Sequence, residues 1–204
     1  MRQSLAEFPK DDPRNLMFGT FTYTSMTAAL VAETERWDAA EHLLDSTQTK
    51  MEGSTSQEGS TPTPMQAYVV VPQIPAIFIR GLKSAVQGSP DAQQYITELA
   101  TIREQQSGAK EPFIAQVVMM TEIQELELAA LFNFVKGNVD DAFNTMKHAT
   151  ALEEAMPLPS GPPTEIKPPH ELFGEILLRA GRSQEAAQQF ATSQTVGQIG
   201  RAHV

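Results

Sequence analysis

Four short segments of this 204-residue chain share one frame, and that frame limits the possible folds more than any single motif does. In KGNVDDAF and AGRSQEAA a glycine stands five residues before an alanine, Gly137 before Ala142 and Gly181 before Ala186. TERWDAAE repeats the spacing with Glu35 in the glycine's place and Ala40 as the alanine; QGSPDAQQ has Gly88, but Gln93 where the alanine should be. Seven residues before each turn stand Ala28, Gly81, Ala130 and Gly174, all small. A small residue there lets the second helix of a pair approach the first closely, and the alanine after the turn is its counterpart. Leu44, Met146 and Phe190, four residues past their alanines, then supply bulk to fill the crossing. The expected unit is a helix, a tight turn and a second helix.

The rest of the chain agrees with helices. Val139, Ala142, Phe143, Met146, Ala149 and Leu152 recur at steps of three and four, while Asp140, Asp141, Lys147 and Glu153 fall elsewhere. Gly137 and Asn138 suit the end of one helix and the opening of the next. Pro112 to Lys136 is apolar on more than one side, which predicts a helix covered on two faces. Strand signals are confined to YVVV at Tyr68 to Val71, and Pro72 weakens even these. The predicted class is all-α, with about four antiparallel helix pairs. Their spans are Asn15–Glu33 with Arg36–Thr47, Ala67–Gln87 with Pro90–Gln106, Pro112–Lys136 with Val139–Met156, and Pro169–Ala180 with Ser183–Ser193. As domains this gives an N-terminal pair over 1–47, a linker or long loop over 48–66, and a repeat region over 67–197. The linker is almost all Ser, Thr, Gly, Gln, Pro and Glu, which bury too little to offset ordering entropy.

From about Pro112 to Ser193 the order is a long helix, GNVDDAF, a helix ending near ALEEAM, then PSGPPTEIKPPHELFGEILLRAGRSQEAAQQF. This resembles tetratricopeptide repeat proteins, in particular a bacterial-type group with a Pro-Gly-Pro-rich approach to a HELxGE helix. The resemblance covers about 80 residues and implies an α-solenoid scaffold with no known reaction. Glu35, Gly88, Gly137 and Gly181 lie 53, 49 and 44 residues apart, longer than the roughly 34 of that repeat. The linker and a proline run account for two of the excesses. Pro157, Pro159, Pro162, Pro163, Pro168 and Pro169 make that run. It reads as a rigid joint: Pro157 stops one helix, and Pro168 and Pro169 suit the first turn of the next. The closing QIGRAHV, residues 198–204, resembles a translated sequencing adapter, which implies that the natural protein continues past about Gly197. That would leave apolar surface on the last helix, around Phe190 and Val196, and promote self-association.

Composition narrows the partners. A formal charge of −10 repels nucleic-acid phosphate and anionic lipid. No run of eighteen apolar residues exists, so no membrane insertion is expected. The first residues lack the apolar core of a secretory signal, which gives a cytoplasmic expectation if that end is native. With no cysteine, disulfides and thiolate metal sites are excluded.

No catalytic motif emerges, and no cofactor or metal is expected. GxSxG, GxxxxGK, a dinucleotide fingerprint and HExxH are all missing. His42 and His148 read as surface histidines. His170 with Glu171 and Glu175 is the one metal alternative, but adjacent helical residues diverge by about 100°, so His170 reads instead as a packing residue. Pro159 and Pro162 form a PxxP, a weaker candidate for docking an SH3-like domain.

In the repeat frame, first helices line the concave surface. That face would carry Phe78, Gln124, Glu127, Leu131, Phe134, Glu171, Glu175 and Arg179, with Ser25, Leu82 and Leu178 alongside. Its apolar and acidic mixture suits a protein or peptide ligand with apolar anchors and basic residues. The expected function is a non-enzymatic protein-interaction scaffold. The alternative is an accessory domain of a larger enzyme or regulator whose catalytic part lies outside this chain.

Overall fold

Prolines open the first helix of each pair. A computed structural model describes residues 13–38, 70–156 and 165–202, and seven α-helices account for most of them. They are α1 (Pro13–Thr34), α2 (Ile74–Val86), α3 (Ala92–Gln106), α4 (Pro112–Val135), α5 (Val139–Ala155), α6 (Pro169–Arg179) and α7 (Ser183–Ala202). Pro13, Pro75, Pro112 and Pro169 sit in first turns, where the missing N–H is no loss. A 3-10 turn, Val71–Gln73, leads into α2. No strand occurs among the described residues, so the class is all-α as expected. The second helix of the first pair beyond Asp38, the linker 48–66, Leu44 and the proline run from Pro157 to Thr164 lie outside the described residues.

The turns follow the frame at the level of backbone conformation. Glu35, Gly88, Gly137 and Gly181 have φ of 50°, 65°, 88° and 77°, and no other described residue has a positive φ. After each glycine, the next residue's N–H reaches back to a carbonyl five residues earlier. Ser89 donates to Ser84, Asn138 to Asn133 and Arg182 to Leu177, each at 2.9 Å. These are three copies of the Schellman motif, which satisfies the last carbonyls of a helix and needs a left-handed residue. Glu35 adopts the same conformation without glycine's freedom.

The small residues are where the frame requires them. Ala28, Gly81, Ala130 and Gly174 are all buried. A Cβ at Gly174 would lie 2.6 Å from the Phe190 ring, so the plug of the last pair rests on that glycine. Phe190 is therefore half-buried; the side chain of Val196, expected to be exposed beside it, lies outside the described residues. At Gly81 the neighbours are Leu128 of α4 and the Tyr95 Cβ. Ala142, Met146 and Ala186 are buried as expected, but in the second pair the frame slips by one residue. Ala92 is buried and Gln93 exposed, because a hydrogen-bonded turn from Ser89 to Gln94 precedes α3 and delays its start.

Successive helices pack by neighbour. The helix pairs α2 with α3, α4 with α5 and α6 with α7 pack together, and α3 and α5 also touch the helix that follows them. The first helices form a row in which α1 packs on α2, α2 on α4, and α4 on α6. Helix α4 thus packs against α2, α3, α5 and α6, which explains its apolar residues on more than one side. Phe113 of α4 also reaches α1, with its ring centroid 4.3 Å from that of Phe18 at a tilt of 57° and edge-on to Phe21 at 5.8 Å. Helix α7 continues beyond the expected end at Ser193, since nothing from Gln194 to Ala202 forbids helix and Thr195 bonds back to the Ala191 carbonyl.

Candidate functional site

The concave face expected from the frame is largely covered. Phe78, Gln124, Glu127 and Leu131 are buried, as are Ser25 and Leu82, so they offer a partner no surface. Phe134, Glu171 and Glu175 are half-buried, and Leu178 and Arg179 are exposed. What covers α4 there is its own chain. The residues entering α6 lie across it, with Ile166 and Lys167 both buried.

Lys167 is fixed by acids from two helices. Its Nζ lies 2.5 Å from Glu171 Oε1, 2.7 Å from Glu175 Oε1 and 3.9 Å from Glu33 Oε1 on α1. Burial disfavours its charge, but the hydrogen bonds to Glu171 and Glu175 outweigh this and hold its pKa above the ordinary lysine value. A cation therefore already stands between the two carboxylates that the metal alternative required. His170 faces the other way. Its Nδ1 lies 2.7 Å from Gln189 Oε1, and its Nε2 is 3.2 Å from Glu154 and 3.7 Å from Glu153. Among the described residues no three His, Asp or Glu side chains converge as metal ligands. His148 is exposed on α5, and His42 lies outside the described residues.

Beside Ile166 and Lys167 is a small, partly open cavity of about 20 Å³, bounded by α4, the end of α5 and the start of α6. Gln124, Glu127, Glu153 and Glu165 line it with Lys167, together with Met120, Ile123, Met156, Ile166 and Pro169. Gln124 Oε1, Glu127 Oε1 and Glu153 Oε2 are buried and without a hydrogen-bond partner. Such atoms forfeit water without replacement, a cost of about 1–3 kcal/mol each.

The two carboxyls respond to that environment. Burial, followed by the charge of Glu153, pushes Glu127 well above the ordinary carboxylate range, with Lys167 opposing. Burial and the charge of Glu165 raise Glu153 to about 7, although its carboxylate takes the backbone N–H of His170. Because His170 is in the first turn of α6, that bond also caps the helix from outside. The site can hold a proton, or an occupant that donates hydrogen bonds.

No family model, curated protein or solved structure matches the chain. The functional reading therefore rests on geometry. Sequence periodicity had placed Glu153 off the buried stripe of α5, yet it follows Ala149 by four and Met146 by seven, which is the buried side. That spacing was the available signal. Nothing in the sequence marked Ile166 and Lys167 as a cover for α4.

Proposed function

We propose that this chain is a non-enzymatic scaffold that binds other proteins, built as a tetratricopeptide-like array of about four helix pairs. The row of first helices carries this reading: α1, α2, α4 and α6 pack one on the next, with α3 and α5 wedged behind. The three Schellman turns and Glu35 support a common repeating unit. Stacked units of this kind present an extended face, and side-chain content along it selects the ligand.

The accessible part of that face combines Phe134 and Leu178 with Glu171, Glu175 and Arg179. Helix α1 adds Tyr23, Met26 and Leu30, each more than half exposed and spaced along one side. A peptide with apolar anchors and basic residues complements this surface. No helix of the described residues is long and apolar enough to cross a membrane.

The test is fluorescence anisotropy with Lys/Leu and Glu/Leu peptides of equal length. The Lys/Leu peptide binds, weakens with salt, and loses more affinity with Glu171→Gln/Glu175→Gln than with Asp140→Asn/Asp141→Asn. Equal losses from both variants, or equal binding of both peptides, would refute the proposal.

A further inference from the structure

Helix α1 exposes an apolar stripe in a register that the later first helices cover. Tyr23, Met26 and Leu30 are each more than half exposed, and they stand twelve, nine and five residues before the left-handed Glu35. The same positions before Gly88, Gly137 and Gly181 are all buried or half-buried, and the middle one, Ile79, Leu128 or Leu172, is at most 3% exposed. On α4 this register meets the preceding pair: Glu125 binds Arg103 of α3 at 2.6 Å, and Leu128 lies against Gly81 of α2. The stripe on α1 is therefore a helix-packing seam, and among the described residues no helix precedes α1 to cover it.

The seam is complementary to itself. Gly19, Tyr23, Met26 and Leu30 follow steps of four, three and four, the spacing of a two-helix coiled coil. When two copies pair antiparallel, Tyr23 of one lies opposite Met26 of the other, a favourable sulfur–aromatic contact, and Leu30 lies opposite Gly19. Space exists there, since Gly19 is exposed and a Cβ on it would meet nothing within 4 Å. Charge favours the same occupant. The chain carries −10, yet no charged residue stands from Asn15 to Ala32, so two acidic copies meet here without opposing carboxylates. A basic partner would find no acid to bind on this stripe. Antiparallel order also sets the two copies of Glu33 roughly 25 Å apart along the seam, beyond the Debye length of about 8 Å, whereas parallel order sets them side by side. The three apolar side chains expose about 350 Å² per copy, against roughly 600–1,000 Å² per partner in a stable interface, so the pairing is weak.

We propose that α1 is a dimerisation surface, pairing antiparallel with α1 of a second copy of this chain through Gly19, Tyr23, Met26 and Leu30. This goes beyond the scaffold reading. The second copy takes the α1 stripe and leaves Glu171, Glu175 and Leu178 of α6 to a peptide.

Sedimentation equilibrium of the whole chain from about 10 μM to about 1 mM, the range of weak association, shows monomer passing to dimer, with no weakening in high salt. Met26→Glu changes a 65% exposed side chain that the monomer can spare. It raises the dissociation constant more than about tenfold by placing a charge in the seam, while Leu178→Glu, at another exposed leucine, leaves it unchanged. Orientation is read by oxidative cross-linking, which the lack of native cysteine keeps free of background. A mixture of Gly19→Cys and Leu30→Cys chains gives a cross-linked dimer. Leu30→Cys alone does not, because its two thiols lie roughly 16 Å apart along the seam, too far for a disulfide. A monomer at every concentration, as when the stripe serves another protein or another segment of this chain, overturns the proposal. So does a dimer that Met26→Glu leaves intact, or one in which Leu30→Cys alone cross-links as fast as the mixture. The cross-linking result decides even if Met26→Glu fails to fold. Glu171→Gln/Glu175→Gln changes peptide affinity and not the dimer, so each reading can fail without the other.

Discussion

Substituting Glu153 by glutamine should flatten the dependence of stability on pH. The side chain is 6% exposed, and its pKa stands at about 7 against an ordinary 4.5. A carboxyl whose pKa is raised by folding stabilises the fold in full below about 4.5, and that contribution is lost as pH rises through 7. The gap between 4.5 and about 7 corresponds to on the order of 3 kcal/mol, lost between pH 4.5 and pH 8. Glutamine cannot ionise, yet its Oε1 can still take the His170 N–H. Glu153→Gln should therefore be more stable than wild type at pH 8 by up to that amount, and closer to it at pH 5. Urea denaturation at pH 5, 6, 7 and 8 measures this, with an unchanged m-value showing that unfolding exposes the same surface. Other titrating groups are common to both chains, so the difference between the curves reports Glu153 and its coupling to Glu127. Parallel curves would refute the reasoning, and a variant that loses stability at pH 8 would mean that the charged form is the one the fold prefers.

Two further substitutions test the packing. Glu35→Gly should stabilise by about 0.5–1 kcal/mol, because Glu35 holds a left-handed backbone at φ 50° that glycine adopts without strain; a higher melting temperature is the expected result. Gly81→Ala should destabilise by about 1–2 kcal/mol in thermal unfolding. The new methyl enters the space of the fully buried Leu128, and this overpacking exceeds the roughly 1 kcal/mol gain in helix propensity.

The turns were legible in the sequence because their chemistry is local. A left-handed residue followed by a new helix leaves the same mark at Glu35, Gly88, Gly137 and Gly181 whatever surrounds it. The small residues seven positions earlier were legible for a related reason: a turn fixes which residues of its two helices meet, as Gly174 meets Phe190. The groove was not legible. Burial of Gln124 and Glu127 depends on where Ile166 and Lys167 come to rest, some forty residues further along the chain, and no periodicity encodes that. Ala92 was not legible either, because the hydrogen-bonded turn before α3 displaces the register by one residue from the constant count of the other turns.

The Schellman turns have a consequence for how such a chain changes length. Each glycine ends one helix and restarts the rotational phase of the next, so a residue gained or lost between turns is not passed on to later pairs. The intervals of 53, 49 and 44 residues can therefore differ while the crossings at Gly81, Ala130 and Gly174 remain close-packed. Insertions into the loops between pairs should be inherited freely, whereas a deletion within α5 between Ala142 and Met146 would rotate every later contact of that helix by about 100°.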